Sequence, residues 1–190
     1  MKKKILILGS SSFSGSSTVD FLLSRDIYKV FGTYRKKKNK FYLPYKFNKK
    51  FKKFKEFKLD LLKNPNHLVN LIVKIKPQII IDFASICMVN ESWKNSETYF
   101  KINVSSKTKM LETLSSSKFL EKYIYISTPE IFGSSDKYIK ENSNLFDPQT
   151  PYASSKLSFE LLLKNYQTFF DFPLIISRFS NFYGPGQPLH

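Results

Sequence analysis

Two hydrophobic patterns alternate along this chain, and together they predict its secondary structure. Residues 4–8 form a short continuous apolar run, as expected for a buried strand, and further strands are predicted at 30–34, 54–59, 79–83, 123–127 and 174–177. Between these runs, apolar residues recur every three or four positions, as on one face of a helix. The predicted helices run from the turn at 9–15 to about 23, from 68 to 75, from 99 to 114 and from 152 to 170.

The regular alternation of strands and helices favours an α/β domain. Parallel strands need long crossover connections, and a helix after each strand supplies them along a right-handed path. We therefore predict a doubly wound parallel sheet with helices on both faces. In such sheets ligands bind at the carboxyl ends of the strands.

Composition narrows the class of protein. With 190 residues, 42% of them hydrophobic, the chain can bury the core of one domain spanning residues 1–190. The single cysteine, Cys87, excludes an internal disulfide and fits a cytoplasmic location. The apolar run after Lys4 is too short for a signal peptide, and no run is long enough to span a membrane. His67 and His190 have no companion ligands, so we expect no metal site.

The formal net charge of +16 is concentrated in one segment. Residues 35–58 contain twelve lysines and arginines and one acidic residue, Glu56, which gives +11 and leaves +5 for the rest of the chain. A basic segment with interleaved aromatic residues could bind nucleic acid through phosphates and stacking. Lysine is abundant throughout the chain, however, so biased composition explains the segment better. We do not expect nucleic-acid binding.

A turn rich in glycine and serine separates the first strand from the first helix. At this place backbone N–H groups and the helix dipole attract a pyrophosphate. Gly9 permits the tight turn and Gly15 the close packing of the helix, whereas the side chain of Ser12 would crowd the phosphate. Residues 9–15, which include Phe13, are therefore a predicted dinucleotide site. The alternative is an ordinary serine- and glycine-rich turn.

The residues after the second and third strands bear on the choice of cofactor. A carboxylate after the second strand would accept the ribose hydroxyls of NAD, but none occurs between Asp26 and Glu56. Arg35 stands there instead, and a guanidinium suits a 2′-phosphate, so NADP is slightly favoured over NAD. The alternative is that Arg35 merely opens the basic segment. Asp60 and Leu61 could contact adenine, although a turn or helix cap also explains an aspartate here.

The most informative chemical pattern is Tyr152 with Lys156, preceded by Thr128. The i, i+4 spacing places the tyrosine and the lysine on one face of a helix, where the ammonium group would lower the pKa of the phenol. Thr128 follows the fifth strand at the ligand-binding edge of the sheet. The three side chains could hold an alcohol and take its proton while its carbon gives hydride to a nicotinamide. The alternative is a pair that merely packs on a helix surface.

With these motifs the chain resembles the extended short-chain dehydrogenases/reductases, in the nucleotide-sugar epimerase and dehydratase group. The resemblance extends over essentially all 190 residues and implies a Rossmann-like NAD(P)-binding domain. Besides the motifs above, it rests on residues 82–85 (Asp-Phe-Ala-Ser), on Ser92, Trp93, Asn103, Val104 and Thr108, and on residues 178–185 (Arg-Phe-Ser-Asn-Phe-Tyr-Gly-Pro).

The resemblance implies an activity and assigns roles in it. Tyr152 takes the proton of a sugar C4 hydroxyl, Lys156 lowers its pKa and holds the nicotinamide ribose, and Thr128 positions the hydroxyl. Glu130 matches the carboxylate with which 4,6-dehydratases remove the C5 proton, so dehydration of a nucleotide-diphosphate sugar is favoured. Pro129 stands where many relatives carry an aspartate that protonates the departing C6 hydroxyl. Either Glu130 makes both transfers, or the protein is a 4-epimerase or reductase.

Further contacts follow from the same resemblance. It implies that Phe13 and Ala84 contribute to the cofactor site and that Ser85 faces the substrate. Arg178 and Asn181 also receive roles on the substrate side. Without the resemblance, these two would be polar residues at the end of a strand.

The resemblance also bears on the extent of the protein. Relatives continue through a substrate domain after the Gly-Pro-Gly-Gln segment at 184–187, so we expect that domain to be missing after residue 190. The chain alone could then be inactive. A full-length protein is expected to form a homodimer through the helices around Asn103 and Tyr152.

Two other function classes stay open at this stage. A module that binds NAD(P) without turnover would keep the fold, although the presence of Thr128, Tyr152 and Lys156 argues against it. A protein that binds nucleic acid through residues 35–58 would show salt-sensitive affinity for RNA or DNA.

Overall fold

The structure is a computed structural model that describes residues 2–136 and 138–187. Its strands are β1 Lys4–Leu8, β2 Lys29–Tyr34, β3 Lys55–Lys58, β4 Ile79–Asp82, β5 Lys122–Ser127 and β6 Leu174–Arg178. They form one six-stranded sheet in the order β3-β2-β1-β4-β5-β6, and every neighbouring pair is parallel. This topology confirms the predicted doubly wound sheet.

The helices differ from the predicted ones mainly in the middle of the chain. They are α1 Phe13–Arg25, α2 Asn66–Ile75, α3 Val89–Lys94, α4 Ser96–Phe100, α5 Ser106–Ser115 and α6 Pro151–Phe170. A π-helical turn, Lys101–Ser105, joins α4 to α5. The single helix predicted at 99–114 is therefore wrong in detail, because it starts earlier and its hydrogen-bond register changes. The short helix α3 was not predicted, since six residues are too few to display a helical period.

The apolar runs of the strands are continuous because helices cover both faces of the sheet. On one face, Leu6 and Leu8 of β1 pack in a cluster with residues of α2, α5 and α6. On the other face, Ile5 and Ile7 pack with residues of α1 and of the segment between β2 and β3. All four side chains are at most 2% exposed.

The basic segment between β2 and β3 is folded against α1. It contains three short 3-10 turns, Lys40–Tyr42, Pro44–Phe47 and Phe51–Lys53. Leu43, Tyr45 and Phe54 are buried in the same cluster as α1. The aromatic residues of this segment thus serve in part as packing.

Among the described residues, no helix is long and apolar enough to cross a membrane. Within the same part of the chain, no group of three or more His, Cys, Asp or Glu side chains could hold a metal ion. His190, which was considered as a metal ligand, lies outside the described residues.

The turn after β1 is packed too tightly for side chains at its two glycines. Gly9 has φ +77°, and a Cβ there would lie 3.1 Å from the backbone carbonyl carbon of Phe83. A Cβ on Gly15 would lie 2.3 Å from the carbonyl oxygen of Gly9. The first turn of α1 is therefore pressed against the end of β1, as the sequence predicted for Gly15.

We predict that Gly15→Ala lowers the free energy of unfolding by about 1–2 kcal/mol, although alanine is the better helix former. The added methyl group must displace the backbone of Gly9, and this strain outweighs the gain in helix propensity. Urea denaturation measures the change, with Ser17→Ala on the exposed side of α1 as the control. Equal stability of the two variants would contradict the close approach.

Candidate active site

A cavity of about 510 Å³ lies across the carboxyl ends of β1 to β4. β1 and β4 are neighbours in the sheet, and the chain adds β2 and β3 on one side of them and β5 and β6 on the other. Doubly wound sheets bind ligands at such a switch point. The cavity brings together seven residues singled out in the sequence, namely Gly9, Ser12, Arg35, Asp60, Leu61, Ala84 and Ser85. Ser11 and Phe83, which belong to the motifs at 9–15 and 82–85, also line it. The sequence did not assign a site role to the other lining residues, which are Thr33, Tyr34, Lys36, Lys37, Lys38, Leu59, Ile86, Cys87 and Ile102.

Ser12 acts as the N-cap of α1. Its hydroxyl accepts a hydrogen bond from the backbone N–H of Gly15 at 3.0 Å. The Ser12 side chain, which was expected to crowd a phosphate, therefore has its hydroxyl directed to the N-terminus of α1. Phe13 begins α1 and Gly15 is buried against Gly9, so neither of them lines the cavity.

Polar side chains line the cavity near the ends of β2 and β3. Thr33 supports the turn, because its hydroxyl accepts from the N–H of Gly9 at 3.0 Å. Arg35 directly follows β2 and lines the cavity beside three consecutive lysines, 36–38. Asp60 lines it as well, and its carboxylate accepts from the N–H groups of Leu62 at 3.1 Å and Lys63 at 3.4 Å. Asp60 therefore closes a turn, as the structural alternative held.

The wall after β4 is fixed by two buried polar side chains. Asp82 accepts from the N–H of Ala84 at 2.9 Å. Asn103, within the π-helical turn, accepts from the N–H of Ile86 at 2.9 Å and donates to the hydroxyl of Ser155 at 2.9 Å. The asparagine thereby ties the cavity wall to α6, where the catalytic candidates lie.

Tyr152 and Thr128 meet at the start of α6. The side chain of Thr128 lies close enough to Tyr152 to act on its phenol, and both residues are buried. Burial raises the pKa of the Tyr152 phenol, and Cys87 raises it further, while Thr128 acts in the opposite direction. The expected lowering of this pKa by Lys156 is not present, because desolvation dominates.

Lys156 is almost fully buried, with 2% of its surface exposed. Its Nζ donates to the backbone oxygen of Ile126 at 2.6 Å and lies 4.3 Å from the centroid of the Tyr125 ring. Burial, together with the nearby charge of Lys107, lowers the pKa of Lys156 to about 7. Cys87, which lines the cavity, acts electrostatically on both Lys156 and Tyr152. Lys156 and Tyr152 therefore lie beside the part of the cavity that Cys87 lines.

Glu130 lies beside this group, in the 3-10 turn Pro129–Phe132 that follows β5. Its backbone N–H donates to the Thr128 hydroxyl at 3.3 Å. The residue is exposed, but partial desolvation raises the pKa of its carboxyl group. Glu130 is also close enough to Tyr152 to raise the pKa of the phenol.

Of the residues predicted on the substrate side, Arg178 and Asn181 do not line the cavity. Arg178 pairs with the buried carboxylate of Glu160, donates to the Glu141 backbone oxygen at 2.8 Å and lies 5.1 Å from the centroid of the Phe132 ring. Asn181 is exposed in the segment after β6. The Arg178 guanidinium is therefore held by an ion pair and Asn181 does not line the cavity, and the substrate-side roles of both residues stay predictions.

Comparison with known proteins identifies relatives of this arrangement. The family model for GDP-mannose 4,6 dehydratase matches residues 6–190. The dTDP-D-glucose 4,6-dehydratase of Dictyostelium discoideum is 34% identical over 145 residues, which is 70% of this chain and 33% of the relative.

Two solved structures are similar in fold and sequence. A UDP-glucuronic acid 4-epimerase from Bacillus cereus, in complex with UDP-glucuronic acid and NAD, superposes with a TM-score of 0.84 at 29% identity. A dTDP-glucose 4,6-dehydratase from Bacillus anthracis, in complex with NAD, superposes with a TM-score of 0.80 at 26% identity. Each match covers 97% of this chain, but only 58% and 57% of the respective relatives.

The family match spans nearly the whole chain, and the relatives include both dehydratases and 4-epimerases. All of them are longer than this chain, which covers between a third and three fifths of their lengths. The relatives in the two solved structures are described with NAD, so the preference for NADP finds no support in them. The fold, the family model and the sequence identity agree, and the chain belongs to the NAD-dependent epimerase/dehydratase family of extended short-chain dehydrogenases/reductases.

Proposed function

We propose that the protein is an NAD(P)-dependent nucleotide-sugar 4,6-dehydratase, in which this chain supplies the cofactor site and the catalytic side chains. The observation that carries the proposal is the cluster of Thr128, Tyr152 and Lys156 beside the cavity, with Glu130 next to Thr128. A carboxylate near the hydroxyl-binding group suits removal of a proton from the carbon next to C4.

The residues of the cavity fit a dinucleotide. The close approach of Gly9 to the backbone of Phe83 and Ala84 leaves the turn free of side-chain bulk beside the start of α1. N–H groups at the N-terminus of a helix favour a pyrophosphate. When bound, the oxidised nicotinamide would accept the C4 hydride, return it at C6, and place a positive charge near the phenol, which lowers a phenol pKa.

Each catalytic side chain then has a separate task. Thr128 holds the C4 hydroxyl by a hydrogen bond, and Tyr152 takes its proton as hydride leaves the carbon. The C4 ketone acidifies the C5 proton, which Glu130 removes. Loss of the C6 hydroxyl as water needs a proton, and Glu130 is the residue next to Pro129 that can return the one it took. Return of the hydride at C6 would then be completed by a proton from solvent at C5.

A 4-epimerase is the second candidate, and a specific observation favours it. Pro129 cannot give a proton, and Glu130 is exposed rather than enclosed. Epimerisation at C4 needs neither a base for C5 nor an acid for C6. The similarity to the Bacillus cereus 4-epimerase supports this candidate as well.

Several properties of the whole protein belong to the same proposal. The nucleotide-diphosphate sugar is supported by the relatives, whose names include UDP and dTDP sugars. A homodimer through the helices around Asn103 and Tyr152, a substrate domain after residue 190 and a cytoplasmic location remain predictions. Expression of the full-length gene product is the setting in which activity should be measured.

We predict that the protein binds NADP at least as tightly as NAD, because Arg35 and the lysines at 36–38 surround the end of β2 with positive charge. Arg35→Ala should then weaken NADP binding by about 10-fold and leave NAD binding unchanged. Isothermal calorimetry with both nucleotides measures this, with Arg25→Ala at the end of α1 as the control. A clear preference for NAD that Arg35→Ala does not alter would place Arg35 in the basic surface only.

We predict that Tyr152→Phe in the full-length protein lowers turnover by about 10²-fold or more and preserves cofactor binding, because only the proton-transferring hydroxyl is lost. Tyr166→Phe, a change of the same kind later in α6, is the matched control and should retain activity. Retained turnover in Tyr152→Phe would refute the catalytic assignment. Loss of cofactor binding would point to a structural role for the hydroxyl.

We predict that Glu130→Gln still permits oxidation at C4 but blocks loss of water from C5 and C6, since the amide keeps the shape and loses the basicity. Reactions of UDP-, dTDP- and GDP-hexoses in deuterated water, followed by mass spectrometry, report on this step. The unmutated protein should place deuterium at C5 of a 4-keto-6-deoxy product, and Glu112→Gln on exposed α5 surface should do the same. A C4 epimer without deuterium would instead establish the 4-epimerase.

A further inference from the structure

A buried ion pair lies behind the catalytic lysine and has no role in the function proposed above. Nζ of Lys107 in α5 lies 2.7 Å from Oδ2 of Asp82 at the end of β4, and both side chains are at most 1% exposed. The Tyr123 hydroxyl donates to the same oxygen at 2.7 Å. Among the described residues, no buried side-chain nitrogen or oxygen lacks a hydrogen-bond partner, so the network is fully satisfied.

Stability alone does not explain this pair. Removing two charges from water costs about as much as their attraction returns, and apolar replacements of a buried pair are often neutral or stabilising. Leucine and methionine already occupy neighbouring positions of α5, at Met110 and Leu111, so an apolar side chain at 107 would suit the core. The buried charge of Lys107 therefore needs an explanation other than stability.

The pair is linked to Lys156 through a shared aromatic ring. Nζ of Lys107 lies 5.7 Å from the Tyr125 ring centroid and Nζ of Lys156 lies 4.3 Å from it, so the two nitrogens are at most 10.0 Å apart. The Tyr125 hydroxyl also donates to the backbone oxygen of Lys156 at 3.5 Å. Phe159 packs edge-on against this ring, and its own ring centroid lies 5.3 Å from Nζ of Lys107.

We propose that the Asp82–Lys107 pair is a positioning pair for the candidate active site, which holds the Tyr125 ring against Lys156 and sets the charge that the Lys156 ammonium group meets inside the core. This inference rests on the proposed function only for its effect on turnover. Through the bond from Ala84 to Asp82, the same pair fixes the wall of the cavity. It thus connects the cofactor cavity to the protonation state of the catalytic lysine.

The charged groups around Lys156 act on its pKa in the direction that this proposal requires. The positive charge of Lys107 lowers the pKa of Lys156, and its effect is larger than the opposing effect of Asp82. Cys87 and Glu160 also raise this pKa. Burial raises the pKa values of Tyr123 and Tyr125, so these two phenols remain neutral neighbours.

The test is a direct titration of Lys156 in protein labelled with ¹³C at the lysine Cε positions. The Lys156 signal is the one that Lys156→Met removes, and its midpoint in the unmutated protein should be about 7. Lys107→Gln removes the charge but can still donate to Asp82, and it should raise the midpoint by about one unit or more. Lys107→Arg should leave it unchanged, as should Lys109→Met on the exposed side of α5.

A double variant keeps the test decisive if Lys107→Gln does not fold. Asp82→Asn with Lys107→Met removes both charges, and its midpoint should lie above that of the unmutated protein and below that of Lys107→Gln. A Lys156 midpoint that stays the same in the folded variants would overturn the proposal and leave the pair a structural feature. Because the titration needs no substrate, a shifted midpoint in a protein that turns over no sugar nucleotide would reject the proposed function and keep this inference.

Discussion

The burial of the Lys156 ammonium group is the constraint on which the active site depends. A charge removed from water is tolerated only where other groups replace the lost hydration. Here the backbone oxygen of Ile126 and the face of Tyr125 do so, and Asp82 and Glu160 supply negative charge nearby. These partners belong to β4, β5 and α6, so the site exists only when those elements have been assembled. The core that packs α5 and α6 onto the sheet is thereby also what gives the lysine its chemistry.

This arrangement carries a cost that depends on pH. The folded pKa of Lys156 is lowered to about 7 from 10.5, so between these values the unfolded chain holds a proton that the folded protein has released. The contribution of Lys156 to stability therefore rises with pH across this window, and it is least favourable at and below neutral pH. A buried lysine of this kind reduces stability at neutral pH, and the two hydrophobic clusters must offset the loss.

The strands and the place of the site could be predicted because their causes are local. Continuous apolar runs reveal strands covered on both faces, and the glycines at 9 and 15 reveal a turn pressed against a helix. Contacts that depend on distant chain segments could not be predicted in this way. The sequence shows Arg178 at the end of β6 but not the buried Glu160 that pairs with it from α6. The helical period places Lys107 on the face of α5 that carries Met110 and Leu111, but the sequence does not show the buried Asp82 carboxylate that pairs with it.

The error about Tyr152 has the same origin and a functional consequence. The i, i+4 spacing shows that Tyr152 and Lys156 share a helix face, but not that both lose their water when that face is covered. Desolvation favours the neutral form of each group, which is why the pKa of the phenol rises while that of the ammonium falls. The site therefore holds a neutral phenol, and the opposing effect of Thr128 on its pKa does not reverse this result. In the proposed function, removal of a substrate proton by Tyr152 would then require additional positive charge close to the phenol.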